Sequence, residues 1–160
     1  MSPLQRYCVL FLSLAVATSW ANPADVEGRW LSGDGEGWIR VSIVGDSLIG
    51  VIAGATDPKP GEPPRRDDKN PDPALRDRLL DGMTILQGFT YDGDNKWTGG
   101  TVYDPNSGKT YKCSLTQVDR DTLKLRGYIG ISLFGRSDTW TRDAEQARTR
   151  ATRGQSNPKQ

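Results

Sequence analysis

The sequence predicts an all-β fold in which eight antiparallel strands run up and down and close into a barrel. Short runs of β-branched and aromatic residues recur from Gly28 onward, separated by clusters of Gly, Asp, Asn and Pro. Most separators are short and have hairpin-turn chemistry, and no convincing helix interrupts the series. Sequential hairpin strands of this number close naturally into a barrel, which leaves no exposed edge and can hold one small ligand.

The strands and turns follow from this pattern. The strands cover residues 28–32, 38–44, 48–53, 84–91, 96–104, 109–118, 122–129 and 134–142. Tight turns occupy residues 33–35, 45–46, 92–95, 105–108 and 119–121. The third and fourth strands are joined differently, by a long loop over residues 54–83 that holds six of the ten prolines.

Two segments outside the strands have polar sequences. In the long loop, Asp72 suits an N-cap and Pro73 the first helical position, which predicts a short helical turn over residues 73–78. The loop as a whole is either a partly ordered lid over one barrel mouth or a solvated loop. The tail, residues 143–160, has no apolar face and is expected to be disordered or a frayed helix.

The N-terminal 21 residues are typical of a cleavable export signal. Arg6 precedes a short apolar stretch, and Ser19-Trp20-Ala21 forms a small-x-small cleavage site. The stretch is shorter than the roughly 20 residues that span a bilayer, and no later segment resembles a span. We therefore expect a periplasmic or secreted protein with its barrel domain over residues 22–142; a retained N-terminal anchor is the alternative.

Composition excludes several function classes. The chain has no histidine, which rules out His-dependent triads and His-ligated metals, and a lone Cys113 in the mature chain cannot build a thiolate metal site or an internal disulfide. Without Arg6, 20 basic residues face 20 acidic ones, a balance that argues against a nucleic-acid partner. No nucleophile elbow or phosphate-binding glycine loop occurs. We expect no cofactor, no metal and no enzymatic activity.

The turn at residues 105–108 predicts which side chains face the interior. It places Asp104 opposite Lys109, Val102 opposite Tyr111 and Gly100 opposite Cys113, all on one face. The other face is polar, so this set points inward. The same alternation directs six further apolar residues inward: Ile39, Val41, Ile43, Leu123, Leu125 and Ile129. The aromatic residues Trp97 and Tyr103 are expected on the outer face, as cross-strand packing or as a docking patch.

Charged residues on the last strand also point inward. If Ser137, Thr139 and Thr141 form the outer face, the interior receives Arg136, Asp138, Trp140 and Arg142. These groups form either a structural network or a polar anchor for a ligand head group. Asp104 and Lys109 form a cross-strand ion pair at the mouth, or Lys109 meets a ligand carboxylate. Glycines along the strands, such as Gly50 and Gly100, either permit bends or leave an internal cavity.

A series of ordered motifs resembles the bacterial exported family catalogued as domain of unknown function 2147. The motifs are Gly28-Arg29-Trp30, Trp38-Ile39-Arg40-Val41, Asn70-Pro71-Asp72-Pro73, Leu86-Gln87-Gly88-Phe89, Trp97-Thr98-Gly99-Gly100, Tyr103-Asp104-Pro105, Gly108-Lys109-Thr110-Tyr111, Arg126-Gly127-Tyr128, Leu133-Phe134-Gly135-Arg136 and Trp140-Thr141-Arg142. The resemblance covers residues 28–142 and implies a lipocalin-like, calycin-type barrel outside the cytoplasm, with a role in binding small molecules and no established catalytic residues.

Gly28-Arg29-Trp30 is also similar to the Gly-x-Trp motif that begins lipocalins. In that family a late arginine packs over the tryptophan and closes one barrel end, which implies this structural role for Trp30 and Arg142. Lipocalins usually pack an amphipathic helix after the last strand, whereas this tail has no apolar stripe.

The leading hypothesis is an exported carrier that binds a small hydrophobic or amphipathic molecule inside the barrel. The candidate ligand contacts are Val102, Lys109, Tyr111, Phe134, Arg136, Asp138 and Trp140. The alternative is an envelope interaction or structural protein that works through the long loop and the outer barrel face, with no internal ligand.

Overall fold

A computed structural model describes residues 22–128 and 136–155 and shows a closed barrel of eight antiparallel strands in sequential order. The predicted fold is confirmed. The strands are β1 Gly28–Leu31, β2 Gly37–Val44, β3 Ser47–Ala55, β4 Thr84–Tyr91, β5 Lys96–Asp104, β6 Lys109–Asp119, β7 Thr122–Tyr128 and β8 Arg136–Arg142. A 3₁₀ helix, Pro23–Val26, precedes β1. The expected signal segment and Phe134 lie outside the described residues.

The barrel has two different ends. Because consecutive strands alternate in direction, the β2–β3, β4–β5 and β6–β7 turns lie at one end, where the chain also enters β1 and leaves β8. We call this the closed end. The β1–β2 turn, the long β3–β4 loop and the β5–β6 turn lie at the opposite end, the open end.

The barrel interior is packed in its central and closed-end parts. Ile39, Val41, Leu123 and Leu125 are buried, as the alternation predicts, and Ile43 packs against them partly buried. The interior is completed mainly by larger side chains of the other strands: Trp30, Leu48, Leu86, Phe89, Trp97, Leu115 and Trp140. The core therefore draws on every strand of the barrel.

The outward position predicted for Trp97 is wrong. Trp97 pairs with Leu115 on the inner face and is only 2% exposed. The reason is a bulge between Trp97 and Gly100, where Gly99 adopts a φ of +78° that favours glycine. The extra residue reverses the alternation, so that Trp97 and Gly100 face inward together. Tyr103 keeps the outer position that was predicted for it.

Two inward glycines make room for neighbouring side chains. A Cβ on Gly50 would lie 2.6 Å from Leu86 Cδ1, and a Cβ on Gly100 would lie 2.4 Å from the Phe89 ring. Leu86 and Phe89 therefore occupy the space that the glycines leave. At these two positions the interpretation of glycine as a sign of a cavity is wrong, since the volume is filled.

The closed end is sealed by Arg142. Its guanidinium carbon lies 4.0 Å from the centre of the Trp30 ring. The same guanidinium donates hydrogen bonds to the carbonyl oxygens of Arg120, Glu27 and Asp25, over 2.9, 2.9 and 2.6 Å. The side chain is fully buried, so one cation joins the chain before β1, the β6–β7 turn and β8.

Of the two alternatives expected for the tail, disorder or a frayed helix, the structure shows a helix over its first part, α1 Ala144–Gln155. Its first turn is held by polar contacts. Asp143 Oδ1 accepts a hydrogen bond from the Glu145 amide, and Gln146 Oε1 accepts one from the Arg29 amide over 2.8 Å. The observed attachment of α1 to β1 uses an N-cap and a side-chain amide. It therefore does not require an apolar stripe along the helix.

Replacing Arg142 should destabilise the barrel. We expect Arg142→Ala to lower the free energy of unfolding by about 3–5 kcal/mol, because it leaves buried carbonyl oxygens without donors. Urea unfolding followed by tryptophan fluorescence measures this loss. Arg40→Ala, at an exposed position on β2, should change stability by less than about 0.5 kcal/mol. A loss below about 1 kcal/mol for Arg142→Ala would contradict the closure role.

Filling the space beside Phe89 tests the packed interior. Gly100→Ala should cost about 1–3 kcal/mol of stability because its Cβ overlaps the Phe89 ring, and Phe89→Leu in the same chain should recover part of it. Gly37→Ala is the matched control, since the nearest atom to its Cβ is 3.8 Å away. Equal stability of Gly100→Ala and Gly37→Ala in urea would show that the interior has unfilled space there.

Candidate functional site

The open end carries the inward-facing residues at the edge of the packed core, and Val102 packs against that core partly buried. Val102 pairs with Tyr111 and Asp104 with Lys109, as the turn register predicted. Val102 and Tyr111 belong to the inner face, yet both remain partly exposed. The inner face of β5 and β6 is therefore incompletely covered at this end, which we call the mouth.

The predicted ion pair between Asp104 and Lys109 is not formed. Asp104 Oδ1 accepts a hydrogen bond from the Asn106 amide over 2.9 Å, and Oδ2 accepts one from Ser107 Oγ over 2.6 Å. The carboxylate thus stabilises its own turn, in the manner usual for aspartate at such positions. Lys109 is exposed and makes no ion pair with any residue that the structure describes.

Asp138 and Trp140 form a second group on β8. They pair with Leu125 and Leu123, which confirms that they lie on the inner face. Trp140 is buried and its indole Nε1 donates to Asp138 Oδ2 over 2.7 Å, while Oδ1 accepts from the Thr139 amide. Asp138 also packs against Gly33, where a Cβ would come within 1.7 Å of Oδ1. This carboxylate is committed to holding the indole and the β1–β2 turn.

The predicted ligand contacts therefore fall into two groups. Val102, Lys109 and Tyr111 share the β5–β6 side of the mouth, and the Tyr111 hydroxyl lies 3.4 Å from Ser107 Oγ. Asp138 and Trp140 share the β8 side. The backbone of Arg136 is in β8, opposite Gly127, whereas its side chain and Phe134 lie outside the described part of the chain. The proposed pairing of Arg136 with Asp138 stays a prediction.

The long loop is fastened to the barrel by a cluster that the sequence did not reveal. We call this the loop anchor: Asp67, Asn70, Arg78 and Tyr103. Asp67 is completely buried and accepts hydrogen bonds from the Tyr103 hydroxyl over 2.5 Å, from Asn70 Nδ2 over 2.7 Å and from an Arg78 guanidinium nitrogen over 2.6 Å. Tyr103 points outward from β5, so the loop anchor lies on the outer side of the barrel.

Neighbouring contacts extend the loop anchor. Lys69 reaches the β5–β6 turn, where its Nζ donates to the Asn106 carbonyl oxygen over 2.9 Å. The predicted cap at Asp72 is present, and the helical turn is a short 3₁₀ helix, Pro73–Leu75. Leu80 and Met83 are buried. The part of the loop from Arg65 to Met83 is therefore ordered rather than simply solvated, and it is attached to the outer side of β5 and to the β5–β6 turn; we call it the strap. Whether it also covers the mouth stays a prediction.

In the loop anchor, the Asp67 carboxyl and the Tyr103 phenol shift each other's pKa. Burial raises the pKa of Asp67, but the hydrogen bonds from Tyr103, Asn70 and Arg78 and the charge of Arg78 outweigh it and leave the pKa below its usual value. Burial and the adjacent Asp67 raise the pKa of Tyr103 to about 12. The carboxylate stays ionised and the phenol stays protonated near neutral pH, which keeps donor and acceptor matched.

The anchoring residues were missed because their partners are far apart in sequence. Asp67 and Tyr103 are 36 positions apart, and no local pattern in the long loop links Asp67 to the outer face of β5. Sequence alternation placed Tyr103 correctly on the outer face but could not show what would cover it.

A surface cleft of about 650 Å³ lies away from the mouth, between α1 and the outer side of β1 and β2. Its lining residues are Glu27, Gly28, Arg29, Arg40, Asp143, Glu145, Gln146 and Thr149. Arg29 is already engaged by Asp143 at 3.3 Å and by the Trp38 ring at 4.3 Å. Because the Arg29 cation in this cleft already has protein partners, whereas Lys109 makes no ion pair with any described residue, we place the candidate site at the mouth.

Two further observations concern the described residues. None of their helices is long and apolar enough to cross a membrane. Among them, no group of three or more His, Cys, Asp or Glu side chains is arranged to hold a metal ion. Burial raises the pKa of Cys113 to about 12, which keeps this interior thiol protonated.

Comparisons with known proteins agree with the barrel. The model of a family described as uncharacterized proteins conserved in bacteria, DUF2147, matches residues 28–142. Protein HP1028 from the human pathogen Helicobacter pylori, which belongs to the lipocalin family, is 21% identical with a TM-score of 0.66 and covers 79% of this chain and 88% of its own. At that identity the likeness shows the fold alone.

A redesigned β-barrel covers 76% of this chain and 94% of its own at 15% identity, and its TM-score of 0.40 is too low to carry an argument. Among curated proteins, none matches the chain.

Acid should weaken the loop anchor in a way that depends on Asp67. Because the pKa of Asp67 is lowered by folding, its contribution is complete above the unfolded value near 4 and is lost as pH falls through the folded value. We expect stability to fall less between pH 6 and pH 3 in Asp67→Asn than in the wild type, as measured by urea unfolding. Asp68→Asn, at the exposed neighbour, should keep the wild-type dependence. Parallel pH profiles for the wild type and Asp67→Asn would refute the assignment.

Proposed function

This chain belongs to the DUF2147 family of bacterial proteins, and from that membership and the geometry of the open end we propose that it is an exported protein that binds a small amphipathic molecule at the barrel mouth. The family description names no activity. The lipocalin-like fold supports a binding role in general, because barrels of this size can hold one small ligand.

The observation that carries the proposal is the state of Lys109. It is an exposed cation on an inward-facing register position, and the carboxylate opposite it is bound within its own turn. Lys109 is therefore available to an external anion. Beside it, Val102 and the Tyr111 ring offer partly exposed apolar surface, and the Tyr111 hydroxyl offers a donor and acceptor. Together they suit a ligand with an anionic group and an apolar body.

The packing of the barrel limits where such a ligand could bind. Leu86, Phe89 and the other interior side chains fill the centre and the closed end. Trp140 is buried and hydrogen-bonded to Asp138, so it belongs to the packed interior on the β8 side. The ligand would accordingly be small and seated at the mouth, rather than enclosed along the barrel axis as in a deep carrier.

A binding role is favoured over catalysis by the engagement of the carboxylates. Both oxygens of Asp104 and both oxygens of Asp138 accept hydrogen bonds from neighbouring protein groups. A general base must instead reach a substrate proton within hydrogen-bond distance. With no histidine in the chain, neither carboxylate has the partner that most acid–base sites use.

The export part of the proposal rests on the N-terminal sequence. Arg6, the apolar stretch that follows it and the Ser19-Trp20-Ala21 site have the order of a cleavable signal. N-terminal sequencing of the protein from the periplasm or medium of an expressing bacterium would test this, with cleavage expected after Ala21. Recovery of uncleaved protein in the cytoplasm would overturn it.

The anion-binding role of Lys109 can be tested with 1-anilinonaphthalene-8-sulfonate, which has an apolar body and one sulfonate. We expect the folded protein to enhance its fluorescence and Lys109→Gln to weaken binding about tenfold, because a charge-assisted hydrogen bond is lost. Lys59→Gln removes the same charge at an exposed loop position and should leave binding unchanged.

The same titration with Val102→Asp should abolish binding by introducing a charge beside the sulfonate. Equal affinities for the wild type, Lys109→Gln and Val102→Asp would overturn the site. Native mass spectrometry of protein purified after export extends the test to natural ligands: a discrete mass that Lys109→Gln no longer retains is the expected result.

A further inference from the structure

The outer face of strands β5–β8 carries positive charge with almost no negative charge. We call it the basic wall. Its cations are Lys96, Lys112, Lys124 and Arg126, and its hydroxyl residues are Thr98, Thr101, Ser114, Thr116, Ser137 and Thr139. All four cations are exposed. The wall is a continuous surface because these strands are hydrogen-bonded neighbours in the barrel.

The strand register orders the wall into rows. One row runs Lys96, Thr116, Lys124 and Thr139, and the next runs Ser114, Arg126 and Ser137. Neighbouring strands are about 4.8 Å apart, so Lys96 and Lys124 stand about 10 Å apart with a threonine between them. Cations therefore alternate with hydroxyl groups across the wall.

Acidic residues are almost absent from the wall. Of the aspartates in the four strands, Asp104 and Asp138 face inward, and Asp119 lies at the closed-end tip of β6. Lys96, Lys112 and Lys124 form no ion pair with any residue in the described ranges. Three lysines on one face without an ion-pair partner among the described residues create a positive potential that attracts an anionic partner.

The aromatic and apolar side chains of the wall argue against two classes of anionic partner, nucleic acids and membranes. Tyr128 is partly buried and its hydroxyl lies 2.6 Å from Ser114 Oγ, so it offers no free ring for stacking on bases. Among the described residues of this face, the exposed large apolar side chain is that of Val118, at the closed-end tip, and a single valine does not suit insertion into a membrane. Hydroxyl groups between cations match a polymer that carries both hydroxyl and anionic groups.

We propose that the basic wall binds an anionic polysaccharide. The lysine and arginine side chains pair with its carboxylate, sulfate or phosphate groups, and the threonine and serine hydroxyls exchange hydrogen bonds with its sugar hydroxyls. This surface is separate from the mouth, so it goes beyond the proposed small-molecule site and does not depend on it.

The test is binding of the full chain to fluorescent dextran sulfate at 0.15 M salt, with uncharged dextran as the reference polymer. Each cation beside an anionic surface contributes roughly fivefold in affinity, so the K96Q/K112Q/K124Q variant should bind about 100-fold more weakly. The K59Q/R65Q/R148Q variant has the same net charge and should lose less than about threefold.

A structural check and a rescue accompany this experiment. The K96R/K112R/K124R variant keeps the charges and should bind dextran sulfate like the wild type, which separates loss of charge from altered folding. Equal losses in the wall variant and the matched control would refute the wall as the binding surface. Tighter binding to single-stranded DNA of equal charge, tighter binding to anionic vesicles, or no binding to dextran sulfate at this salt would each refute the polysaccharide class.

Discussion

The barrel closes where its first and last strands meet, and the described seam consists of two residue pairs, Trp30 with Arg142 and Leu31 with Thr141. So short a seam provides few backbone hydrogen bonds. Arg142 supplements it with bonds to three carbonyl groups from two distant segments and with the face of Trp30. An arginine suits this place because its planar group can bond in several directions while it stacks on a ring.

Closure at this end determines where a ligand can bind. With Trp30 and Arg142 at the closed end, large side chains pack upward from it until they reach the level of Val102 and Tyr111. The inward glycines do not relieve this packing, since Leu86 and Phe89 lie against them. Beyond that level, the inner-face position opposite Asp104 is occupied by Lys109, which is exposed.

Local pattern was sufficient for much of this architecture. Turn chemistry at residues 105–108 predicted the pairing of Val102 with Tyr111, and alternation predicted the buried faces of β2 and β7. Alternation failed where a bulge added one residue at Gly99, because a local change of backbone conformation moves every preceding side chain to the other face. Trp97 was misplaced for that reason alone.

Side-chain interactions that depend on the folded structure were the second feature that the sequence pattern could not predict. At the mouth, alternation correctly places Asp104 opposite Lys109. It does not predict that the Asn106 amide and the Ser107 hydroxyl bind the Asp104 carboxylate instead. In the strap, Asp67 contacts Tyr103 across 36 positions of sequence, a contact that only the tertiary fold creates. Gln146 likewise contacts a residue far away in sequence, the Arg29 amide of β1. This contact holds α1, a helix that the sequence could not predict from an apolar stripe.

The charge balance of the chain illustrates how turn chemistry shapes a surface. Aspartate favours turns and caps because its carboxylate accepts backbone hydrogen bonds, as Asp104, Asp119 and Asp143 do here. Lysine and threonine tolerate the outer face of a strand. In an up-and-down barrel the turns lie at the two ends and the strand faces form the walls. The preference of aspartate for turns therefore places negative charge at the ends, and lysine on the strands places positive charge on the walls. A net charge near zero therefore does not exclude a basic surface, because the fold itself moves the acidic residues to the rims and leaves cations on the wall of β5–β8.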